Sequence, residues 1–175
     1  MQLNIRQLRE PDAALAALFT RWENDPLLVP LIRPSPTPAD LAAHREVTVE
    51  TLHERLQHAT IYLIELDGQP IGEVNYQIDP AHLYRKVAGT AWIAIMIGEA
   101  HGRGKGVGQQ ALAYLERQIW ARGLPRIELG VFAFNHAARK LYQKLGYREI
   151  GEIADFTYWQ AQMWADIRME KLADT

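Results

Sequence analysis

Cysteine is absent from all 175 residues. Disulfides, zinc ribbons, iron–sulfur clusters and thiol nucleophiles are excluded together, and the composition suits a reducing, cytoplasmic setting. Serine is nearly absent as well: Ser35, between two prolines in RPSPTP, is the single one. A G-x-S-x-G nucleophile elbow cannot be built from it, so acyl-enzyme chemistry lacks an evident nucleophile. No apolar run reaches membrane-spanning length, and MQLNIRQ lacks the basic-then-apolar order of an export signal. Neither sign of charge prevails. With 21 acids against 19 bases, the formal net charge of −2 gives no reason to expect nucleic acid or an anionic membrane as partner. Repeats and long linkers are missing too, so a chain that is 48% hydrophobic is expected to form one domain over 1–175.

What is present is strand alternating with helix. Leu3 to Arg9 suits an opening strand, and Pro11-Asp12 starts a helix with Leu15, Leu18, Phe19 and Trp22 at helical spacing. Pro26 to Pro38 reads as a loop. Thr37 as N-cap, Pro38 and Asp40 then open a second helix expected to run unbroken to His58. TIYLIEL, Asp67-Gly68 and Ile71 to Ile78 form a hairpin, because Asp-Gly suits the two-residue turn between twisted strands. Ala88 to Ile97 reads as a central buried strand. A glycine-rich loop, a helix ending at Gly123, the strand Arg126 to Phe134, a short helix from Asn135 to Leu145 and two last strands complete the order. A helix between neighbouring strands implies a right-handed parallel crossover over 88–134. The expected fold class is therefore α+β: a mostly antiparallel mixed sheet, one central parallel β-loop-α-β unit, and helices on both faces.

Gly102 to Gly108 joins that central strand to a helix N-terminus, with Arg103 and Lys105 among the glycines. Backbone N–H groups free to approach a ligand, the positive helix end and two cations together make an anion site. The surroundings agree: residues 101–146 hold eight bases against Glu116 and Glu128, leaving an acidic surplus elsewhere that favours a cationic substrate. A Walker A loop fails twice, with Glu99 where its first glycine belongs and Gly106 where Ser or Thr is required. The dinucleotide fingerprint is matched by Gly106, Gly108 and Ala111, with Glu128 as the ribose acid. It starts seven residues beyond the strand, however, and the chain has one crossover where that fold needs several.

The pattern Arg103-x-x-Gly106-x-Gly108, followed by Asn135-x-x-Ala138-x-x-x-Tyr142 and Lys144-Leu145-Gly146-Tyr147, resembles the paired cofactor motifs of the GCN5-related N-acetyltransferases. The resemblance implies acetyl-CoA as cosubstrate. It implies that Arg103, Gly104, Lys105, Gly106, Val107 and Gly108 cradle the CoA pyrophosphate, while Met96, Ile97 and Gly98 pair with the pantetheine arm. It also implies direct attack of a primary amine on the thioester, whether of a polyamine, an aminoglycoside-like compound or a protein N-terminus.

Such a reaction has two proton problems. An aliphatic amine with a pKa near 10 is neutral in only about one molecule per thousand at pH 7, so a base is needed. The leaving thiolate needs an acid. Tyr142 matches the family's tyrosine and is the expected general acid; Asn135 caps its helix and contacts the cofactor or orients Tyr142. Family members often carry the base on the strand before the glycine loop, but Trp92 to Ile97 holds no acid. Glu73 is the candidate base instead, ahead of Asp79, His82 and Asp155. Trp22, Phe156, Tyr158, Trp159 and Trp164 could contribute an aromatic wall. No metal is expected: His53 and His58, at i and i+5, point about 140° apart on a helix. Two alternatives remain, a non-catalytic acyl-CoA-binding module without a base and a dinucleotide-binding protein. A second copy of the chain is an open option as partner.

Overall fold

The computed structural model describes residues 2–174. Its strands are β1 (Leu3–Gln7), β2 (Thr60–Leu66), β3 (Gln69–Ile78), β4 (Thr90–Ile97), β5 (Arg126–Phe132), β6 (Arg148–Trp159) and β7 (Gln162–Leu172). They form one sheet in the order β1-β2-β3-β4-β5-β7-β6. Every pairing is antiparallel except β4 with β5, the parallel pair expected from the crossover. The helices are α1 (Ala13–Glu23), α2 (Val29–Ile32), α3 (Pro38–Ala42), α4 (Val49–His58), α5 (Val107–Ala121) and α6 (His136–Lys144). None is long and apolar enough to cross a membrane.

Local chemistry explains most of these boundaries. Asp12 caps α1 by accepting from Leu15 N at 2.8 Å, and Asp67 and Gly68 take the positive φ angles, 49° and 79°, of the β2–β3 turn. The single helix expected from Thr37 to His58 does not exist. Thr37 and Thr48 each open a separate capping box, and Ala43 turns extended at the end of α3. Two N-caps eleven residues apart outweigh the continuous apolar spacing of Leu41, Val49 and Leu52. The expected loop at 26–38 also holds α2, opened by Pro30 in its first turn.

The two sheet faces carry different cores. On one, α5 lays Val107, Ala111, Leu112, Leu115 and Ile119 over Ile93, Ile127 and Leu129, and all but Ile93 of these are 1% exposed or less. Burial of each large aliphatic there contributes about 1.5–3 kcal/mol before entropy is counted. On the other face, α1 and α4 cover only the β1–β4 half, burying Phe19, Trp22 and Leu52 against Leu63, Ile61 and Met96. Over β5 and β7 no helix among the described residues packs in the same way. The β3–β4 connection, pinned where Asp79 accepts from Gly89 N and Thr90 N, and the segment around Ser35, bonded to β6, take that place.

Candidate active site

β4 and β5 stay together for only three register pairs, Thr90↔Arg126, Ala91↔Ile127 and Trp92↔Glu128. β4 then follows β3 to Ile97 while β5 follows β7 to Phe132, and the strands part. Ala94 is exposed in the middle of a central strand as a result. Over residues 93–97, the β4 edge that faces β5 has no strand partner among the described residues. Gly130 helps to open the gap. A Cβ there would lie 2.5 Å from the Asp166 carboxylate and 3.0 Å from the Trp92 ring, so those two side chains close over a strand position that carries none. The opening is a cleft of about 1050 Å³, bordered by Arg103 and Gly108 of the glycine-loop segment and by Arg33 and Arg45 of the segment after α1.

The glycine loop borders this cleft. After a 3-10 turn at Ala100–Gly102, Gly104 and Gly106 adopt φ of 71° and 74°, and Gly106 is the N-cap of α5. Gly102 N and Arg103 N are bonded within the turn, to Glu99 O and Ala100 O. From Gly104 to Gln109 no backbone N–H is bonded to a protein group among the described residues; the first amide of α5 that is satisfied belongs to Gln110. Gly104, Lys105 and Gly106 are exposed, and a Cβ at Gly104 or Gly106 would meet open space. A run of unused donors at the positive end of a 15-residue helix fits a diphosphate.

Arg103 does something the spacing did not indicate. Its guanidinium turns back, donating from Nε to Ile97 O at 3.0 Å and from Nη2 to Gly98 O at 2.7 Å, with Asp25 at 3.6 Å. It braces the strand end from which the pantetheine arm was expected to hang. Gly98 is braced from the other side, since a Cβ there would lie 2.3 Å from the Trp22 ring, and Trp22 Nε1 donates to Glu99 at 2.8 Å. Met96 has its side chain in the α1/α4 core and borders the cleft beside Ile97.

Tyr142 and Asn135 border the same cleft from α6. The Tyr142 ring packs edge-on to Tyr147 at 5.8 Å, and burial pushes its hydroxyl up to about 12, which keeps it protonated. No protein group among the described residues bonds that hydroxyl. Asn135 caps α6, Oδ1 accepting from Ala138 N at 3.3 Å, and its Nδ2 has no protein partner among the described residues. Glu73 faces the cleft from β3, directly across from Met96 in the register. It is 9% exposed, and burial raises its carboxyl to about 7 against the opposing effects of Asn75, which donates at 3.2 Å, and of Arg55.

The weaker candidates are placed elsewhere or otherwise engaged. The Asp79 carboxylate is spent on the loop, and Asp155 is exposed on β6. His82 stacks edge-on to Trp92 at 4.6 Å, its pKa lowered by burial and by Arg168. Of the proposed aromatic wall, Phe156 borders the cleft, Trp22 is core and Trp164 packs on Phe134. Glu128, the ribose acid of the dinucleotide reading, is fully buried and accepts from Tyr84 N, Arg85 N and Arg126, so it is not free for a ribose. Among the charged cleft residues that escaped sequence reasoning are Arg33, Arg45, Arg168 and Asp166. Arg168 lies 2.7 Å from Asp166 and 4.7 Å from the Trp92 centroid. Asp166 and Arg168 sit in an unremarkable strand alternation, and only the register shows that Arg168 lies opposite Gly130 and Asp166 opposite Phe132.

Comparison with known proteins agrees with this geometry. The uncharacterized N-acetyltransferase YycN of Bacillus subtilis is 47% identical over 47 residues, 27% of this chain and 30% of that protein. The acetyltransferase ECA0875 of Pectobacterium atrosepticum is 28% identical over 85% of this chain and 89% of its own. A Salmonella typhimurium protein, yncA, solved as a putative acetyltransferase with its cofactor acetyl-CoA, shares the fold at TM-score 0.73 and 17% identity, covering 98% of this chain and 94% of that one. The family model described as acetyltransferase (GNAT) family matches residues 20–147, a span that includes Glu73, the splayed β4, the glycine loop and Tyr142. The chain belongs to that family.

Proposed function

We propose that residues 1–175 form one N-acetyltransferase domain that moves the acetyl group of acetyl-CoA directly to a primary amine. The observation that carries the reading is the meeting of three features at one cleft: unused loop amides, a strand edge without a partner, and Glu73 and Tyr142 bordering the same space. When bound, acetyl-CoA supplies an activated carbonyl and a thiolate leaving group. Gly104 to Gly108 hold the diphosphate with backbone N–H groups, and the free edge of β4 holds the arm in line with the reacting carbon. Amides of that edge also polarise the carbonyl, an effect worth about 3 kcal/mol where single donors have been removed from other enzymes.

Glu73 takes a proton from the incoming ammonium, directly or through one water. A carboxylate poised near neutrality can both accept that proton at pH 7 and hold it. The amine nitrogen bonds the carbonyl carbon, the carbon–sulfur bond breaks, and the electron pair leaves on sulfur. Tyr142 gives its hydroxyl proton to that sulfur, and the second proton that the nitrogen sheds as the amide forms returns to the Tyr142 oxygen through water, leaving thiol, amide and protonated Glu73. No covalent enzyme intermediate is required, in keeping with the absence of cysteine. The partners on this reading are acetyl-CoA and a small-molecule or peptide amine, in the cytoplasm.

A second reading, a non-catalytic acyl-CoA-binding module, is favoured only by the acid-free strand Trp92 to Ile97. Thiol release with a panel of amines separates the two. Turnover that Glu73→Gln lowers by about 10²-fold or more supports the enzyme; tight CoA binding with no turnover of any amine supports the module.

A further inference from the structure

The charges bordering the acceptor half of the cleft do not balance. Glu23 is held bidentately by Arg55, at 2.5 and 3.1 Å, and Asp166 is held by Arg168. Glu73 is the sole cleft carboxylate with no basic partner within 4 Å among the described residues. The cations are another matter. Arg33 is 4% exposed, yet it donates only to neutral acceptors, Ala43 O, Glu23 O at 2.6 Å and Asn24 Oδ1 at 3.4 Å. Lys86 Nζ is bonded to Ala81 O at 2.7 Å, and Arg45, an exposed residue at the mouth of the cleft, has no protein partner for its guanidinium among the described residues.

These groups are assembled around Glu73. Glu23 bonds Arg33 through its backbone and Arg55 through its side chain, and the charges of both Glu23 and Arg55 are felt at Glu73. Arg33 is thus linked to the candidate base through Glu23 and its ion pair with Arg55. Asn24 fixes Arg45 there, accepting from Arg45 N at 2.9 Å and donating to Arg45 O at 2.6 Å. A buried guanidinium beside a second one costs free energy unless anions offset it; burial first, and then Arg45, depress the Arg33 pKa, and the charge of Glu23 opposes them only in part. Leu31, Ile32, Phe132 and Phe156 give the same half of the cleft an apolar wall.

Resting on the acetyltransferase reading, we propose that the acceptor is an amine bearing a carboxylate and an apolar body, an amino acid such as leucine or phenylalanine. Its carboxylate docks on Arg45 with Arg33 behind it. Its amine faces Glu73, and its side chain lies on the Phe132/Phe156 wall. A guanidinium pair recognises a carboxylate bidentately, whereas a polyamine or aminoglycoside would bring several cations to a site whose surplus is already positive.

The test measures thiol release with leucine and phenylalanine against their decarboxylated counterparts, isoamylamine and 2-phenylethylamine, and against spermidine. The expected result is a kcat/KM for the amino acid about 10²-fold above that of its counterpart. In Arg45→Ala that ratio falls to within about tenfold of unity, and Arg45→Lys recovers part of it. Isoamylamine or spermidine turned over as well as leucine, or a ratio unmoved by Arg45→Ala, overturns the inference and leaves acetyl transfer standing. Failure of every amine to promote thiol release overturns both.

Discussion

Glu73 joins a stability cost to the catalytic use proposed for it. Its carboxyl titrates near 7 in the folded protein and near 4.5 when unfolded. The folded state holds the proton more tightly, so stability is greatest below about 4.5 and falls as pH rises through 7. Glu73→Gln removes that loss: it should raise the melting temperature at pH 8, by up to about 3 kcal/mol of stability, and leave it nearly unchanged at pH 4. The same variant should abolish the rise of kcat/KM with pH centred near 7, which a pH–rate profile reads directly. Tyr142 predicts a different signature. Tyr142→Phe should lower kcat about 10²-fold while CoA affinity by calorimetry stays near that of the parent; an unchanged kcat would return Tyr142 to the core beside Tyr147. At this scale the sequence was partly legible. Tyr142 and Asn135 announce themselves by motif and spacing, and Glu73 by elimination. Arg33, Asp166 and Arg168 were not legible, because each is placed by a strand register or a loop path that no local pattern encodes.

At the scale of the element, the segment from β4 through the loop to α5 concentrates the chemistry. Its boundaries could be read because glycine at positive φ and a helix start are local events. Gly106, at φ 74°, faces open space, so a side chain there meets no protein atom and would intrude on the ligand instead. Gly106→Asp should abolish CoA binding, by placing a carboxylate against a phosphate; retained affinity on calorimetry would refute the cradle. Gly98 answers to packing. Gly98→Ala puts a methyl into the Trp22 ring at 2.3 Å and should lower stability by about 1–3 kcal/mol in chemical denaturation, with the strand end shifting as Trp22 gives way. The missed break between α3 and α4 has the opposite lesson. Leu41 and Val49 share a helical period, but Ala43 turns extended to end one helix and the Thr cap at position 48 begins another. Apolar spacing shows which residues can share a face, and caps decide whether one helix carries them.

Over the whole molecule, the β2–β3 hairpin and the single crossover that brings β4 beside β5 were legible, whereas the insertion of β7 between β5 and β6 was not, because strand order is a long-range fact. The early divergence of β4 and β5 was not legible. It depends on β5 keeping its full register with β7, and on Gly130 admitting Asp166 and Trp92 over the strand, both long-range facts. That divergence is what turns a sheet into a binding cleft. Ligation should therefore stabilise the fold as a unit. Acetyl-CoA at 100 times its Kd adds about 2.7 kcal/mol, which for a chain of this size is a rise of roughly 5–10 °C in melting temperature; NADH should give none. The most direct test is a crystal structure with acetyl-CoA at saturation. The account predicts the diphosphate on the amides of Gly104 to Gly108, the arm along the 93–97 edge of β4, and the thioester sulfur within hydrogen-bond reach of the Tyr142 hydroxyl. A loop left without the diphosphate, or an acetyl group lying away from both Tyr142 and Glu73, would contradict it.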